Sequence, residues 1–520
     1  MGKHWANVLA DRIIEQFPEV TRYTCASGTS PSGIVHIGNF RDLITSDFVH
    51  RSLLSKGKSS RLLLSWDDYD RFRKVPAGVP ENFKEFIGKP LTNVPDPKGE
   101  LSSYAERFKK EYETAFAQVG IHPEIVSQTK EYASGRYDEQ IKFALLHRKE
   151  IARVLARFKT QGMTEEEIEG YFPVNVYSRF TGKDTTRVES FDGESTLEYI
   201  CNETGRKDKI DFTKDRVVKL PWRVDWPMRW AAEGVNFEPG GSDHATPGGS
   251  YDAGKAIARE IFNTKAPLFQ GYAFIGISGA ERKMSGSKGN AVSLGDILKI
   301  YEPEVVRWLF ARMNPTQEFD ISLGTEVIRV YHEWDGQSKI DDEVTQLSRV
   351  DQSKPIQQNP IPFRQAAGYG QIVSFDEDRF LQLLSASGER YNTASINSRL
   401  PRVNHWLTEF NKKDLIKLRE SPNTAYHASL NEDTRRMVSR FKETILGFDG
   451  KPVSVEEIER AVYEVAKVPG EPMEKNKPRQ KEFFRSVYQL LFDAERGPRL
   501  PTYIWANDKK KLAGLLTFNG

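Results

Sequence analysis

With only two cysteines in 520 residues, Cys25 and Cys201, the chain has no disulfide framework, which excludes a small secreted, disulfide-stapled fold. Cys25 falls in an apolar run and reads as a buried, inert thiol. No apolar stretch approaches 18 residues, so a membrane-spanning helix is excluded. The opening segment, MGKHWANVLADRIIEQF, reads as an amphipathic helix broken by charges rather than a signal peptide, and a cytoplasmic location is expected. Charge of one sign is missing too: 75 Lys and Arg against 73 Asp and Glu leave +2, which does not by itself predict nucleic-acid binding. What remains is a globular balance, 38% hydrophobic and 28% charged, over a length that allows roughly three or four domains.

Two short segments stand out from that even background. The first is Pro31-Ser32-Gly33-Ile34-Val35-His36-Ile37-Gly38-Asn39. Residues 20–26 read as a buried strand, 27–33 as a Ser/Thr/Gly/Pro turn, and 35–54 carry helically spaced apolar residues. Gly33 and Gly38 would let backbone approach a ligand, and the unpaired amides of a new helix suit an anion such as a triphosphate. His36 and Asn39 would add side-chain donors. The same residues also fit an ordinary strand-to-helix turn in which His36 only caps the helix. The second segment, Lys283-Met284-Ser285-Gly286-Ser287-Lys288-Gly289-Asn290, follows an expected strand at 268–278 and has no apolar anchor except Met284. Such a loop is built to move. A closing cationic loop would stabilise negative charge that grows on a bound polyphosphate. Lys283 is the first choice for that charge; the bland alternative is a solvated basic turn.

In this order the two segments resemble the HIGH-type helix start and the KMSKS-type loop of class I aminoacyl-tRNA synthetases. The chain is similar, more finely, to the class I lysyl-tRNA synthetases. That likeness runs through Ala26-Ser27-Gly28-Thr29-Ser30-Pro31-Ser32-Gly33, Ser65-Trp66-Asp67-Asp68-Tyr69-Asp70, Pro221-Trp222-Arg223-Val224-Asp225-Trp226-Pro227-Met228-Arg229-Trp230 and Gly241-Ser242-Asp243-His244. The resemblance implies a Rossmann-type α/β catalytic domain with an inserted subdomain, then an all-helical anticodon-binding domain. It implies a ligase that uses ATP with Mg²⁺ to join L-lysine to tRNA(Lys) through lysyl-adenylate. His36, Asn39, Lys283, Ser285 and Ser287 would be catalytic. Pro31, Ser32, Gly33, His36, Gly38, Asn39 and residues Lys283, Met284, Ser285, Gly286, Ser287 and Lys288 would contact ATP, and Gly28, Thr29, Asp67, Trp222, Asp243 and His244 would contact lysine. The family loop usually has a second Lys where Gly286 stands, so that role is lost or falls to Lys288.

Substrate charge offers an independent check. The related glutamyl enzymes place an Arg on the first strand to read a carboxylate, and the matching position here is Ala26. The expected pocket is instead acidic and aromatic, with Asp67, Asp68, Asp70, Asp225 and Asp243 near strand ends and Trp222 as a flat wall, which suits an ammonium. By resemblance, Asp67 takes the α-amino group. Trp222, Trp226 and Trp230 also fall at helical spacing, where a core stripe is the common reading. Pro221 and Pro227 argue against one continuous helix there.

The expected organisation is a first catalytic half at 1–130, containing an amphipathic helix at 102–119. An insertion follows at 131–215 and opens on a helix at 137–158. The second catalytic half spans 216–290, a helical connector 291–350, and a helical domain 351–520. Residues 395–446 hold ten Lys and Arg against six Asp and Glu, and 474–511 ten against five. Trp406, Tyr488, Tyr503 and Trp505 interleave with them, a mixture that suits phosphate contacts and base stacking, though such runs are often solvated faces. Within the insertion, Ser178-Arg179-Phe180-Thr181-Gly182-Lys183 and Cys201-Asn202-Glu203-Thr204-Gly205-Arg206 look like two zinc knuckles. Ser178, Thr181 and Thr204 stand where thiolates belong, so no structural zinc is expected and the turns would need hydrogen bonds and packing instead. The alternative is two unrelated hairpin loops. A monomer is the expected state. The rival functions are a small-molecule adenylyltransferase, which would not need the long helical region, and a non-catalytic tRNA-binding paralogue.

Overall fold

The computed structural model describes residues 3–278, 291–468 and 470–518. It divides into two units: Met1–Ser322 with Ile340–Pro355, and Leu323–Lys339 with Ile356–Gly520. The stretch 291–350 is therefore shared between them.

The first unit is built on five parallel strands: β1 (Arg22–Thr29), β2 (Ser59–Trp66), β3 (Glu124–Ser127), β4 (Phe237–Gly241) and β5 (Leu268–Tyr272). Their order is β5-β4-β1-β2-β3. β1 and β2 run in register from Arg22 beside Ser59 to Thr29 beside Trp66, so both end at one edge. Strand order reverses between β1 and β4, and a crevice opens at the carboxyl ends of such strands. Cys25 lies fully buried on β1, where burial pushes its thiol up to about 12.

Helix α1 (Trp5–Gln16) precedes the sheet and α2 (Ile37–Ser55) follows β1. α2 is buried on nearly every side and carries its charges inward. Asp47 bonds Arg51 at 2.9 Å and the fully buried Arg307 at 2.6 Å, and Arg307 also donates to the carbonyls of Val119 and Leu347. Removing one member of such a group strands a buried charge at a cost of about 3–5 kcal/mol. Helix α3 (Tyr104–Gln118) begins where the Ser103 hydroxyl accepts from the Glu106 amide.

Three expected elements differ in detail. The strand expected over 268–278 ends at Tyr272, and Ile275–Ser278 pairs instead with Phe319–Ser322 in a separate sheet. The break falls at Ala273, whose carbonyl takes the Arg41 guanidinium at 2.6 Å and whose amide bonds Pro315. The helix expected over 137–158 is two, Asp138–Leu146 and Arg148–Ala156. Between them His147 leaves helical geometry, stacks on Phe143 at 4.1 Å and bonds the Phe143 carbonyl through Nδ1. The tryptophan segment, where two prolines argued against continuity, is one helix, α4 (Trp222–Glu233), leading into β4; α5 (Ser250–Glu260) follows. Pro221 sits outside as the N-cap, and Pro227, in the second turn, forfeits a single backbone bond.

The insertion holds a three-stranded antiparallel sheet, Thr186–Phe191, Thr196–Cys201 and Lys207–Asp211. Its two glycine turns share one backbone. Gly182 donates to Ser178 and Ser178 to Lys183, while Gly205 donates to Cys201 and Cys201 to Arg206, all at 2.7–2.9 Å. The glycines have φ of 70° and 67°, which accounts for glycine at both places. Burial pushes the Cys201 thiol up, but the Ser178 and Thr204 hydroxyls and the Thr204 and Glu203 amides outweigh it and bring the thiol to about 7. The side chains of both turns thus meet. Leu197 and Tyr199 are fully buried against partly buried Phe180 and Phe191, and the Arg206 guanidinium lies 3.9 Å over the Phe180 ring.

The second unit is helical, with no strand among its described residues. Arg399 grips Asp335 through two bonds of 2.8 and 2.6 Å. Trp406 is 1% exposed, packs on Phe363 and donates to the carbonyls of Leu323 and Gly324. Tyr503 is buried against Phe492. Both are core residues, unlike the base-stacking aromatics suggested by their basic neighbours; Tyr488 and Trp505 stay partly exposed. No described helix is long and apolar enough to cross a membrane.

Candidate active site

A cleft of about 640 Å³ opens at the carboxyl ends of β1, β2 and β4. It is lined by Gly28, Thr29, Ser32, Gly33, His36, Asn39, Asp67, Trp222 and His244, nine of the residues singled out in the sequence. Pro31 is buried beside it, and Gly38 lies beneath the His36 ring. Asp243 is exposed, outside the lining, 3.9 Å from His244 Nε2. Lys283, Met284, Ser285, Gly286, Ser287 and Lys288 lie outside the described residues.

The helix start is set by His36, which caps α2 and also lines the cleft. Its Nδ1 accepts from the Gly38 amide at 3.1 Å. A Cβ on Gly38 would stand 2.9 Å from the ring, so only glycine lets the imidazole fold back. Burial lowers the His36 pKa and keeps the ring neutral. With Nδ1 accepting, the neutral ring carries its proton on Nε2, a donor for a ligand oxygen. The backbone here pairs His36 with Ser293, and the Ile37 amide with the Val292 carbonyl at 2.8 Å.

The floor of the cleft holds two kinds of acid. Asp67, at the end of β2, bonds Arg229 on α4 at 2.8 Å. Arg229 also reaches Asp225 at 3.0 Å and Ser65 at 2.9 Å, and Lys219 bonds Asp70 at 2.7 Å and Asp225 at 3.4 Å. Burial raises Asp67 to about 6, with Arg229 opposing; burial also works against ionised Asp70, but Lys219 prevails and holds it low. Asp225 is fully buried beneath the cleft and accepts from Tyr132 at 2.5 Å. Asp68 is a clamp between elements, accepting from Lys109, Ser127 and the Thr129 amide. Asp68 and Asp225, read in the sequence as pocket acids, are therefore scaffold.

Asp42 on α2 and Glu238 on β4 are different. Both are 8% exposed and line the cleft, and neither forms an ion pair among the described residues. Burial raises Asp42 to about 8; the Ser27 and Tyr272 hydroxyls and the Gly28 amide favour its charge only partly, and its Oδ1 makes no hydrogen bond. Glu238 rises to about 7 through burial, although Oε2 accepts indole N–H groups from Trp226 at 3.0 Å and Trp230 at 2.5 Å. A Cβ on Gly28 would lie 3.9 Å from Glu238 Oε1, so β1 presents bare backbone beside that oxygen. The sequence reading missed both acids. The usable signal was an acid inside each of two segments that must be buried: Asp42, in α2 with Asp47, and Glu238 in β4.

Trp222 forms an aromatic wall, stacked on Trp226 at 5.0 Å with the Arg229 guanidinium 5.3 Å from its ring. Trp226 lines the cleft too, whereas Trp230 is 2% exposed and belongs to the core with Ala26 and Leu63. The helical stripe is wall at one end and core at the other.

A doubly wound parallel sheet with its cleft at the strand-order reversal, a helix start offering amides and a neutral imidazole, and an acid-floored pocket is the architecture of a nucleotide-binding α/β enzyme. The family model described as tRNA synthetases class I (K) matches residues 3–359, and the chain belongs to that family. A lysine--tRNA ligase of Treponema pallidum is 35% identical over 99% of this chain and 98% of its own length. One from Pyrococcus horikoshii is 34% identical over 99% and 100%, and one from Streptomyces coelicolor 35% identical over 98% of each. A solved glutamate tRNA ligase from Elizabethkingia meningosepticum is a looser match, with a TM-score of 0.47 and 13% identity over 96% of this chain and 98% of that one.

Proposed function

We propose that this protein is a lysine--tRNA ligase. The lysine carboxylate attacks the α-phosphorus of ATP, the α–β phosphoanhydride bond breaks, and pyrophosphate leaves lysyl-adenylate behind. The 3′-terminal ribose hydroxyl of tRNA(Lys) then attacks the activated carbonyl, forming an ester as AMP departs and the hydroxyl proton passes to solvent. No covalent enzyme nucleophile is required, so positioning and charge stabilisation carry the rate.

The observation that carries lysine as substrate is the Asp42–Glu238 pair. Two buried carboxyls with no ion pair among the described residues, raised chiefly by burial and further by neighbouring carboxylates, are costly unless a ligand brings positive charge. The side-chain ammonium supplies it. Asp67 and its partners form a nearly compensated group of three carboxylates and two cations, with one negative charge left for the α-ammonium. Trp222 and His244 complete the wall around the aliphatic stem. Ser32, Gly33, His36 and Asn39 hold ATP at the helix start, and Lys283, with Ser285 and Ser287, closes over its phosphates. Mg²⁺ would accompany ATP, held chiefly by phosphate and water. The basic faces of the helical unit serve as the anticodon-binding surface.

The test is ATP–pyrophosphate exchange by the purified protein, followed by charging of tRNA(Lys). Exchange that depends on lysine, with subsequent charging, is expected. Exchange without charging would favour an adenylyltransferase, and tRNA binding with neither activity a non-catalytic paralogue.

A further inference from the structure

We propose that Arg73 and Lys74 hold the ATP triphosphate and the leaving pyrophosphate, an inference that rests on the lysine-adenylating reading above. The cleft lining carries both signs of charge. Asp42, Asp67, Asp70 and Glu238 would repel a polyphosphate, whereas the segment 71–74 adds Arg71, Arg73 and Lys74, the only Lys or Arg side chains lining the cleft among the described residues. Arg71 is committed to the scaffold, pairing with Asp184 at 3.3 Å. Arg73 is not: its side chain is 75% exposed and its ion pair with Asp70 is long, at 3.9 Å. Lys74 is exposed and has no carboxylate partner among the described residues.

The segment is fixed on both sides of these two residues. Phe72, 1% exposed, bonds Lys89 and Gly88 through its backbone and packs on Tyr104 at 5.1 Å. Pro76 lies against the loop that enters α2: a Cβ on Gly33 would stand 4.0 Å from Pro76 Cγ and 3.9 Å from the Tyr104 hydroxyl. That hydroxyl donates to the Ser32 carbonyl at 3.0 Å. Arg73 and Lys74 are thereby held in the segment that packs beside the Ser32–Gly33 turn. As the α–β bond breaks, its electron pair passes to the β-phosphate side and negative charge grows on pyrophosphate. Two exposed cations at this place, one held only by a long ion pair and one with no carboxylate partner among the described residues, stabilise that growth more than they stabilise bound ATP.

The test uses the full-length protein and the variants Arg73→Ala, Lys74→Ala, the double change, and Lys74→Arg. ATP affinity is measured by calorimetry, and KM for ATP, pyrophosphate, lysine and tRNA by exchange and charging. Each single alanine change should weaken ATP and pyrophosphate about tenfold, the double about a hundredfold, with lysine KM unchanged and Lys74→Arg close to wild type. ATP and pyrophosphate values within about twofold of wild type would overturn the assignment. So would a shift confined to tRNA KM, which would make the segment a contact for the tRNA end. Wild-type exchange that ignores lysine would overturn the lysine reading alone, since ATP affinity still decides the role of Arg73 and Lys74. A wild type that binds no ATP would overturn both.

Discussion

Two acid groups in and beneath one cleft serve different purposes. Asp67, Asp70 and Asp225 are laced to Arg229 and Lys219 by bonds of 2.7–3.4 Å, and this group holds β2 to α4. Asp42 and Glu238, buried in the same cleft, have hydroxyls, an amide and indoles for hydrogen-bond partners and form no ion pair among the described residues. A buried carboxylate that has its counter-ion serves the scaffold, and one kept waiting for it is a binding site; Asp67, in a group with one negative charge to spare, serves both. The difference makes the two groups respond oppositely to mutation.

The sharpest break comes from Arg229→Met. It leaves Asp67 and Asp225 without their main partner, and urea denaturation should show a loss of about 3–5 kcal/mol. A loss below about 1 kcal/mol would mean that Lys219 alone sustains the group. On the other side, Glu238→Gln or Asp42→Asn should weaken lysine binding roughly 100-fold, the order expected for a charge-assisted contact in a dry pocket, while thermal stability holds or rises. If either change unfolds the protein instead, that acid belongs with the scaffold.

How far the cleft was legible in the sequence follows from the same contrast. Gly28, Thr29, Ser32, Gly33, His36, Asn39, Asp67, Trp222 and His244 stand at loops and element starts, where turn chemistry and motif spacing mark them, and all line one cleft. Asp42 and Glu238 were hidden because they sit inside regular elements, and only burial, a tertiary property, separates them from ordinary charges. Asp68 misled for the converse reason: next to Asp67 in sequence, it points to Lys109 and Thr129. Likewise β1, β2, α2 and α3 were readable from periodicity. The break at Ala273 depends on Arg41, distant in the chain, and the kink at His147 on its stacking with Phe143.

A smaller effect should come from Trp222→Ala. As a wall of the cleft it contributes uniform binding, so lysine KM should rise about tenfold while kcat changes less. Equal loss of both parameters, or unfolding, would place Trp222 with Trp230 in the core. The pH dependence of the ligand-free protein probes the same acid pair without substrate. Asp42 and Glu238 titrate near 8 and 7 when folded and near an ordinary carboxyl, about 4, when unfolded. The folded state therefore holds more protons between those values, and their contribution to stability is present at low pH and lost as pH rises toward 8. Chemical denaturation from pH 5 to 8.5 should show this decline, flattened in Asp42→Asn with Glu238→Gln; a wild type and variant with parallel profiles would contradict it.

The central claim, that an uncompensated buried acid pair reads the lysine ammonium, is tested most directly by the protons that lysine displaces. Calorimetric titration of the full-length protein with lysine near pH 7, in buffers of different ionisation enthalpy, counts them. The account predicts release of roughly half to one proton per lysine bound, abolished by Asp42→Asn with Glu238→Gln. Lysine binding with no proton release, or release unchanged in that double variant, would contradict it.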